Sequence, residues 1–233
     1  MDLTFRIIWF EDVDEWYNTT SRRVSRYIKN KNFKVVEEDA DSIYLTTKEI
    51  QKIYDYDFSK TPHIERVRDL FVIGCYTGLR FSDLTQFRQE NISKDLTTAK
   101  VRTQKTGEVV IIPLNPLIKA ILKKHGGKPP EAISNQKMND YLKTIGENVK
   151  INDEVVISIT KGGVRVRESF KKHELITVHT ARRSFATNAY LNDVPTLSIM
   201  KMTGHTTEKA FLKYIKISQE DNANKLLNHP FFK

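Results

Sequence analysis

Apolar positions along this chain follow a helical rhythm over most of its length, broken by stretches of strict alternation. Thr46 and Glu49 have the spacing of a capping box, with Ile50, Ile53 and Tyr54 as the apolar stripe behind it, so the main domain is expected to begin near Tyr44 with a helix. A second helix is predicted over residues 62–76, with Ile64, Val67, Leu70, Phe71 and Gly74 on its buried face and Gly78 as its stop. Arg80 follows at once, and Ser82 is placed to cap a short helix over residues 83–87. From Leu96 to Leu114 the period changes to two. Lys100, Arg102 and Gln104 alternate with Val101 and Thr103, and the apolar run from Val109 to Ile112 comes after Lys105-Thr106-Gly107. This pattern predicts a β-hairpin with Lys105 at or beside its turn. Helices return over residues 116–125, with Leu117, Ala120 and Ile121 inward and Gly126-Gly127 as the stop, and over 134–148, with Met138, Tyr141, Leu142 and Ile145 on the apolar side. Residues 155–160 and 164–170 flank Lys161-Gly162-Gly163 and predict a second, basic hairpin.

The remainder is predicted helical. His179 sits just before a helix whose start includes Arg182 and whose buried side carries Phe185, Ala186, Ala189 and Tyr190. Pro195 opens a further helix that Gly204 ends, and Thr206 or Thr207 caps a last one bearing Phe211, Leu212 and Tyr214. The expected fold is mainly α with a small antiparallel β-sheet, an α+β arrangement. Residues 1–40 differ from the rest. Phe5, Ile8, Trp9, Val13, Trp16 and Tyr17 fall at roughly helical spacing, and a basic segment from Arg22 to Lys34 follows. That is too little chain for an independent domain. The last segment, 221–233, is polar at first and ends on Phe231-Phe232.

Charge adds a partner class. A formal net charge of +9 points to a polyanion, most simply nucleic acid, while 39% hydrophobic and 10% aromatic content argues for a globular chain. The single Cys75 excludes an internal disulfide, lies in an apolar run as a core residue, and fits a reducing cytoplasm. No apolar run approaches the length of a membrane span. There is no acidic cluster at metal-binding spacing and no nucleotide-binding glycine loop, so neither metal nor ATP nor another cofactor is expected, nor a small-molecule substrate.

The chemistry-bearing residues are Arg80 in T-G-L-R-F-S-D-L, Lys105 in Q-K-T-G, His179 and Arg182 in V-H-T-A-R-R-S-F-A-T, His205 in M-T-G-H, and Tyr214 in K-Y-I-K-I. Two guanidiniums can fork onto phosphate oxygens, two imidazoles can donate or move protons, and a lysine on a turn can reach a leaving oxygen. A phenol can attack phosphorus and hold it covalently, which makes metal and ATP unnecessary. Taken singly, each has an ordinary reading: a solvated charge, a helix cap, a core aromatic. It is their order along the chain that points to phosphodiester chemistry.

These motifs resemble those of the tyrosine recombinases, or phage integrases, over about residues 44–220. The resemblance implies the tyrosine recombinase catalytic-domain fold for residues 41–220. It implies that Arg80, Arg182 and His205 hold the scissile phosphate, that Lys105 is the general acid for the 5′-hydroxyl, and that His179 assists proton transfer. Tyr214 would form a 3′-phosphotyrosine, and Asp83, where the family more often has Glu, would support the site. It further implies double-stranded DNA as substrate, a tetramer on paired sites, and a C-terminal tail that docks on a neighbouring subunit. Residues 1–40 would be the end of a core-binding domain plus linker. The implied activity is site-specific recombination for a mobile element. The competing expectations are a truncated member that binds DNA without recombining it, and a relaxase like the type IB topoisomerases.

Overall fold

The computed structural model describes residues 42–161, 164–227 and 230–232. All of them belong to one unit spanning residues 40–233. The expected apolar stripe from Phe5 to Tyr17, the basic segment from Arg22 to Lys34, and Gly162-Gly163 lie outside the described residues.

Nine α-helices and two separate two-stranded antiparallel sheets make up the described residues. They run α1 Thr47–Asp55, α2 Pro62–Thr77, α3 Phe81–Leu84, β1 Thr98–Arg102, β2 Val109–Pro113, α4 Pro116–Lys124, α5 Asn135–Asn148, β3 Glu154–Lys161, β4 Val164–Lys171, α6 Val178–Leu191, α7 Thr196–Thr203, α8 Glu208–Leu212 and α9 Gln219–Leu226. The helix-rich α+β expectation holds, with two small sheets where one was expected.

Helix α2 is the centre. Every residue from Val67 to Cys75 is buried, so it is covered on all sides, whereas the sequence suggested a single stripe. It packs on α1, α4, α5 and, most extensively, α6. Small residues set that last approach: a Cβ on Gly74 would lie 3.1 Å from the Ala181 Cβ. Arg182 follows Ala181 directly, so the close crossing lays its side chain at the C-terminal end of α2. That end is sharp because Gly78 adopts φ 66° in the left-handed region. Gly78→Ala will cost about 2–4 kcal/mol of stability, read as a lower urea midpoint, because it adds backbone strain and drives a Cβ to 2.4 Å from the Phe185 ring.

The capping box of Thr46 and Glu49 forms as expected, and Ser134 caps α5. In the first hairpin, Ala99 pairs with Ile112 and Val101 with Val110, all four buried, while Val109 and Ile111 face outward. The apolar run in β2 therefore alternates in burial, because only one face of this small sheet is covered.

Several local expectations need correction. Arg80, not Ser82, is the N-cap of α3, which stops at Leu84. In α4 the buried residues are Ile118, Ile121 and Leu122, while Leu117 is half-buried and Ala120 exposed. His179 lies within the first turn of α6, which starts at Val178. Tyr214 is in the turn after α8, with its N–H bonded to the Phe211 carbonyl at 2.8 Å, and is not on the helix itself. The polar segment after Ser218 forms α9, opened by a capping box of Ser218 and Asp221.

Two hydrophobic clusters result. The main one gathers α1 to α6 and the first hairpin. A smaller one, around Ala186, Ile199 and Phe211, joins the second half of α6 to α7 and α8 and holds Tyr214 at its edge. Cys75 is buried in the main cluster, where burial pushes its thiol pKa up and keeps it unreactive.

Candidate active site

Arg182 is the hub. It is 1% exposed, and its two terminal nitrogens donate to the carbonyls of Gly78 and Thr203, each at 2.7 Å. One guanidinium thereby ties the end of α2 to the end of α7. Burial, then the neighbouring Arg80, lowers its pKa to about 10. The Arg182 guanidinium carbon lies 5.2 Å from the Tyr214 ring centre.

His205 is placed by a second left-handed glycine. Gly204 ends α7 at φ 65°, and the His205 N–H returns to the Met200 carbonyl at 3.0 Å. The imidazole lies 4.8 Å from the Tyr214 ring and 5.6 Å from the Phe211 ring, centre to centre. Its Nδ1 is 2.8 Å from the Thr203 hydroxyl, and its Nε2 is 3.0 Å from an Arg182 nitrogen. Arg80 reaches the same point from α3, donating to the Gly204 carbonyl at 3.3 Å. The sequence candidates Arg80, Arg182, His205 and Tyr214 therefore share one site. A cleft of about 400 Å³ opens beside His205, walled by β2 and the end of α7.

The other candidates stand around it. Asp83 is buried and accepts from the backbone N–H of Gln104 at 2.9 Å, which anchors the turn carrying Lys105 to α3. The shorter acid thus reaches the hairpin backbone. Lys105 is exposed on that turn and has no hydrogen bond or ion pair among the described residues. His179 is exposed at the surface, yet its pKa is lowered by burial of the ring and then by Arg183, Arg182 and Arg80, which places it in the same electrostatic field.

Two threonines were missed, although both lie inside the motifs. Thr187, the last residue of H-T-A-R-R-S-F-A-T, donates to the Tyr214 carbonyl at 3.2 Å and accepts from the Lys216 N–H at 3.0 Å, pinning the tyrosine's turn to α6. Thr203, in M-T-G-H, meets both Arg182 and His205. A hydroxyl's role in bonding is invisible without its neighbours, so position within a motif was the only signal.

Residues 44–221 match the phage integrase family. The chain belongs to that family. Its fold is similar to those of solved recombinases and integrases. XerA recombinase superposes with a TM-score of 0.60 at 15% identity, covering 94% of this chain and 79% of that one. A lambda integrase fragment (75–356), solved as a dimer bound to a COC′ core site, gives 0.56 at 16%, covering 87% and 71%. XerH recombinase, in a post-cleavage complex with a palindromic difH substrate, gives 0.55 at 15%, covering 79% of this chain and 52% of XerH, so the chain spans about half of that protein. At these identities the likeness is one of fold. No curated protein matches the chain by sequence.

In this integrase-family chain the cluster has an electrostatic signature. Cations outnumber anions, and buried Arg80 Nη1, Arg182 Nε and Asp83 Oδ2 have no partner among the described residues. His205 is held neutral, its pKa lowered to about 3 by burial and then by Arg182 and Arg80. An unfolded chain binds a proton there near 6.5 and the folded chain does not, so the neutral ring's contribution to stability is full above that pH. It is lost progressively as pH falls from about 6.5 towards about 3. Denaturant midpoints should therefore fall with acidification, and His205→Gln should flatten that slope.

Proposed function

We propose that this chain is a site-specific DNA recombinase of a mobile element, which cuts and rejoins duplex DNA through a 3′-phosphotyrosine without metal or ATP. The observation that carries this reading is the gathering of the Arg182 guanidinium and the neutral His205 imidazole at the Tyr214 ring, with Arg80 beside them on the Gly204 carbonyl, while Asp83 is the carboxylate that acts on Arg182 among the described residues. Such a cluster favours a phosphodiester, and more so its transition state, in which negative charge builds on the non-bridging oxygens. Arg80, Arg182 and His205 hold those oxygens. Tyr214 Oη attacks phosphorus and its proton leaves to a base, with His179 assisting. The bond from phosphorus to the 5′-oxygen breaks, and Lys105 protonates that oxygen. Asp83 sets the Lys105 turn through Gln104. A 5′-hydroxyl from the partner duplex then reverses the sequence and releases the tyrosine.

Exchange between sites calls for several copies on DNA, and a lambda integrase structure is a tetramer bound to a Holliday junction, which supports a tetramer here. Phe231 and Phe232, 81% and 62% exposed, suit docking on a neighbouring copy. A Tn1549 transposon integrase in complex with its transposon right-end DNA, with a TM-score of 0.52, is in keeping with the mobile-element role. Residues 1–40 are assigned as the end of a core-binding domain and its linker, 41–220 as the catalytic domain and 221–233 as the tail. No described helix is long and apolar enough to cross a membrane, and the chain is assigned to the cytoplasm.

The test is incubation with nicked duplexes from the DNA flanking its own gene's element, followed by a denaturing gel. A covalent protein–DNA adduct is expected. Binding without an adduct would favour the non-recombining reading, and relaxation of supercoiled plasmid without exchange would favour the relaxase.

A further inference from the structure

The Thr203 hydroxyl has one proton and three neighbours. It lies 2.7 Å from the Ile199 carbonyl, 3.2 Å from the Met200 carbonyl and 2.8 Å from His205 Nδ1. Two oxygens at 2.7 Å repel unless a proton lies between them, and a carbonyl has none to give. The hydroxyl proton therefore goes to Ile199, and Thr203 Oγ1 meets His205 as an acceptor. Nδ1 must then carry the hydrogen of the neutral ring, leaving Nε2 bare. The nearby Arg182 nitrogen lies 3.0 Å from Nε2 and 3.4 Å from Nδ1, over the face of the ring, so it takes neither nitrogen's in-plane lone pair and leaves the choice of tautomer to Thr203.

We infer that Thr203 is a positioning residue that locks His205 in its Nδ1–H tautomer, so that Nε2 alone gains and loses protons at the site. The inference rests on the proposed phosphodiester chemistry for its consequence, not for its geometry. In this tautomer His205 donates to a phosphate oxygen only after Nε2 takes a proton from solvent, and the resulting imidazolium is balanced by the anion it binds. The charged and titratable groups facing the ring are Arg182 from α6, Arg80 at the start of α3 and Tyr214 after α8, with Glu108 and Lys201 on the cleft wall. The Thr203 carbonyl, which holds Arg182, is main chain and survives any substitution of its side chain.

Thr203→Val removes the hydroxyl and keeps the shape, and Thr203→Ser keeps the hydroxyl. The proteins would carry ¹⁵N-labelled histidine, with the His205 signals assigned by their loss in His205→Asn, and long-range proton–nitrogen spectra would give the tautomer at neutral pH. Wild type and Thr203→Ser should show a protonated Nδ1 and a bare Nε2, and Thr203→Val a mixture of both forms. Single-turnover adduct formation should be about tenfold slower in Thr203→Val, the worth of one hydrogen bond, with an altered pH profile, and should be rescued in Thr203→Ser. A wild-type ring protonated at Nε2, or a tautomer unchanged in folded Thr203→Val, overturns the inference. Should Thr203→Val fail to fold, the wild-type and Thr203→Ser spectra still decide the tautomer. A wild type that shows the Nδ1–H form but makes no DNA adduct overturns the proposed function and leaves this assignment standing.

Discussion

Tyr214→Phe will form no covalent adduct with nicked duplex DNA, and its affinity for that DNA will stay within about tenfold of wild type. The attacking oxygen is gone, so the loss of chemistry is complete. The ring keeps its place, because its position depends on the tilted His205 ring at 4.8 Å, on Arg182 at 5.2 Å and on the Thr187 bond to its main-chain carbonyl. The Arg182 guanidinium keeps its place over the ring, because that contact is to the aromatic face and not to the hydroxyl. A gel for adduct and a filter or anisotropy assay for binding separate the two effects. Binding that collapses together with the adduct would make Tyr214 a structural residue and remove the nucleophile from the proposal.

Arg182→Ala will lower single-turnover cleavage by about a thousandfold or more and will also destabilise the fold. Losing a fixed donor to a developing oxyanion costs on the order of 10²–10³ in rate. Here the same truncation also strips the donors from the Gly78 and Thr203 carbonyls and opens a cavity between α2 and α7. Relief of a buried cation beside Arg80 offsets part of that penalty, for a net loss of about 2 kcal/mol. Arg182→Lys will recover some stability but little rate, because an ammonium cannot fork onto two carbonyls and a phosphate together. Urea titration and single-turnover cleavage, run side by side, check both halves. A variant that cleaves normally would show that Arg182 is only a strut.

Much of the chain was legible because local rules and tertiary demands agree. Thr46 and Glu49, Gly78, Gly204 and the hairpin around Lys105 all carry their conformation in their own chemistry, and each appears where it was expected. The misreadings share another cause. Ala120 was placed inward in α4 because a nine-residue amphipathic helix has several near-equivalent apolar faces, and only the packing on α2 selects Ile118, Ile121 and Leu122, with Leu117 at the edge of the core. Ser82 has the right side chain for a cap, but the αL stop at Gly78 starts the next helix too early for it to serve.

The candidate inventory came from motifs: Arg80, Lys105, His179, Arg182, His205 and Tyr214 were each singled out because chemistry restricts which side chains could serve a phosphodiester. What the sequence could not contain was their mutual geometry. Residues more than a hundred positions apart meet because Gly74 lets α2 and α6 approach, so that Arg182 can tie Gly78 to Thr203. The protonation of His205 was likewise decided only in the fold. It depends on burial, on two guanidiniums from other segments and on one threonine hydroxyl already committed to Ile199, and such a field exists only once the chain has closed around it.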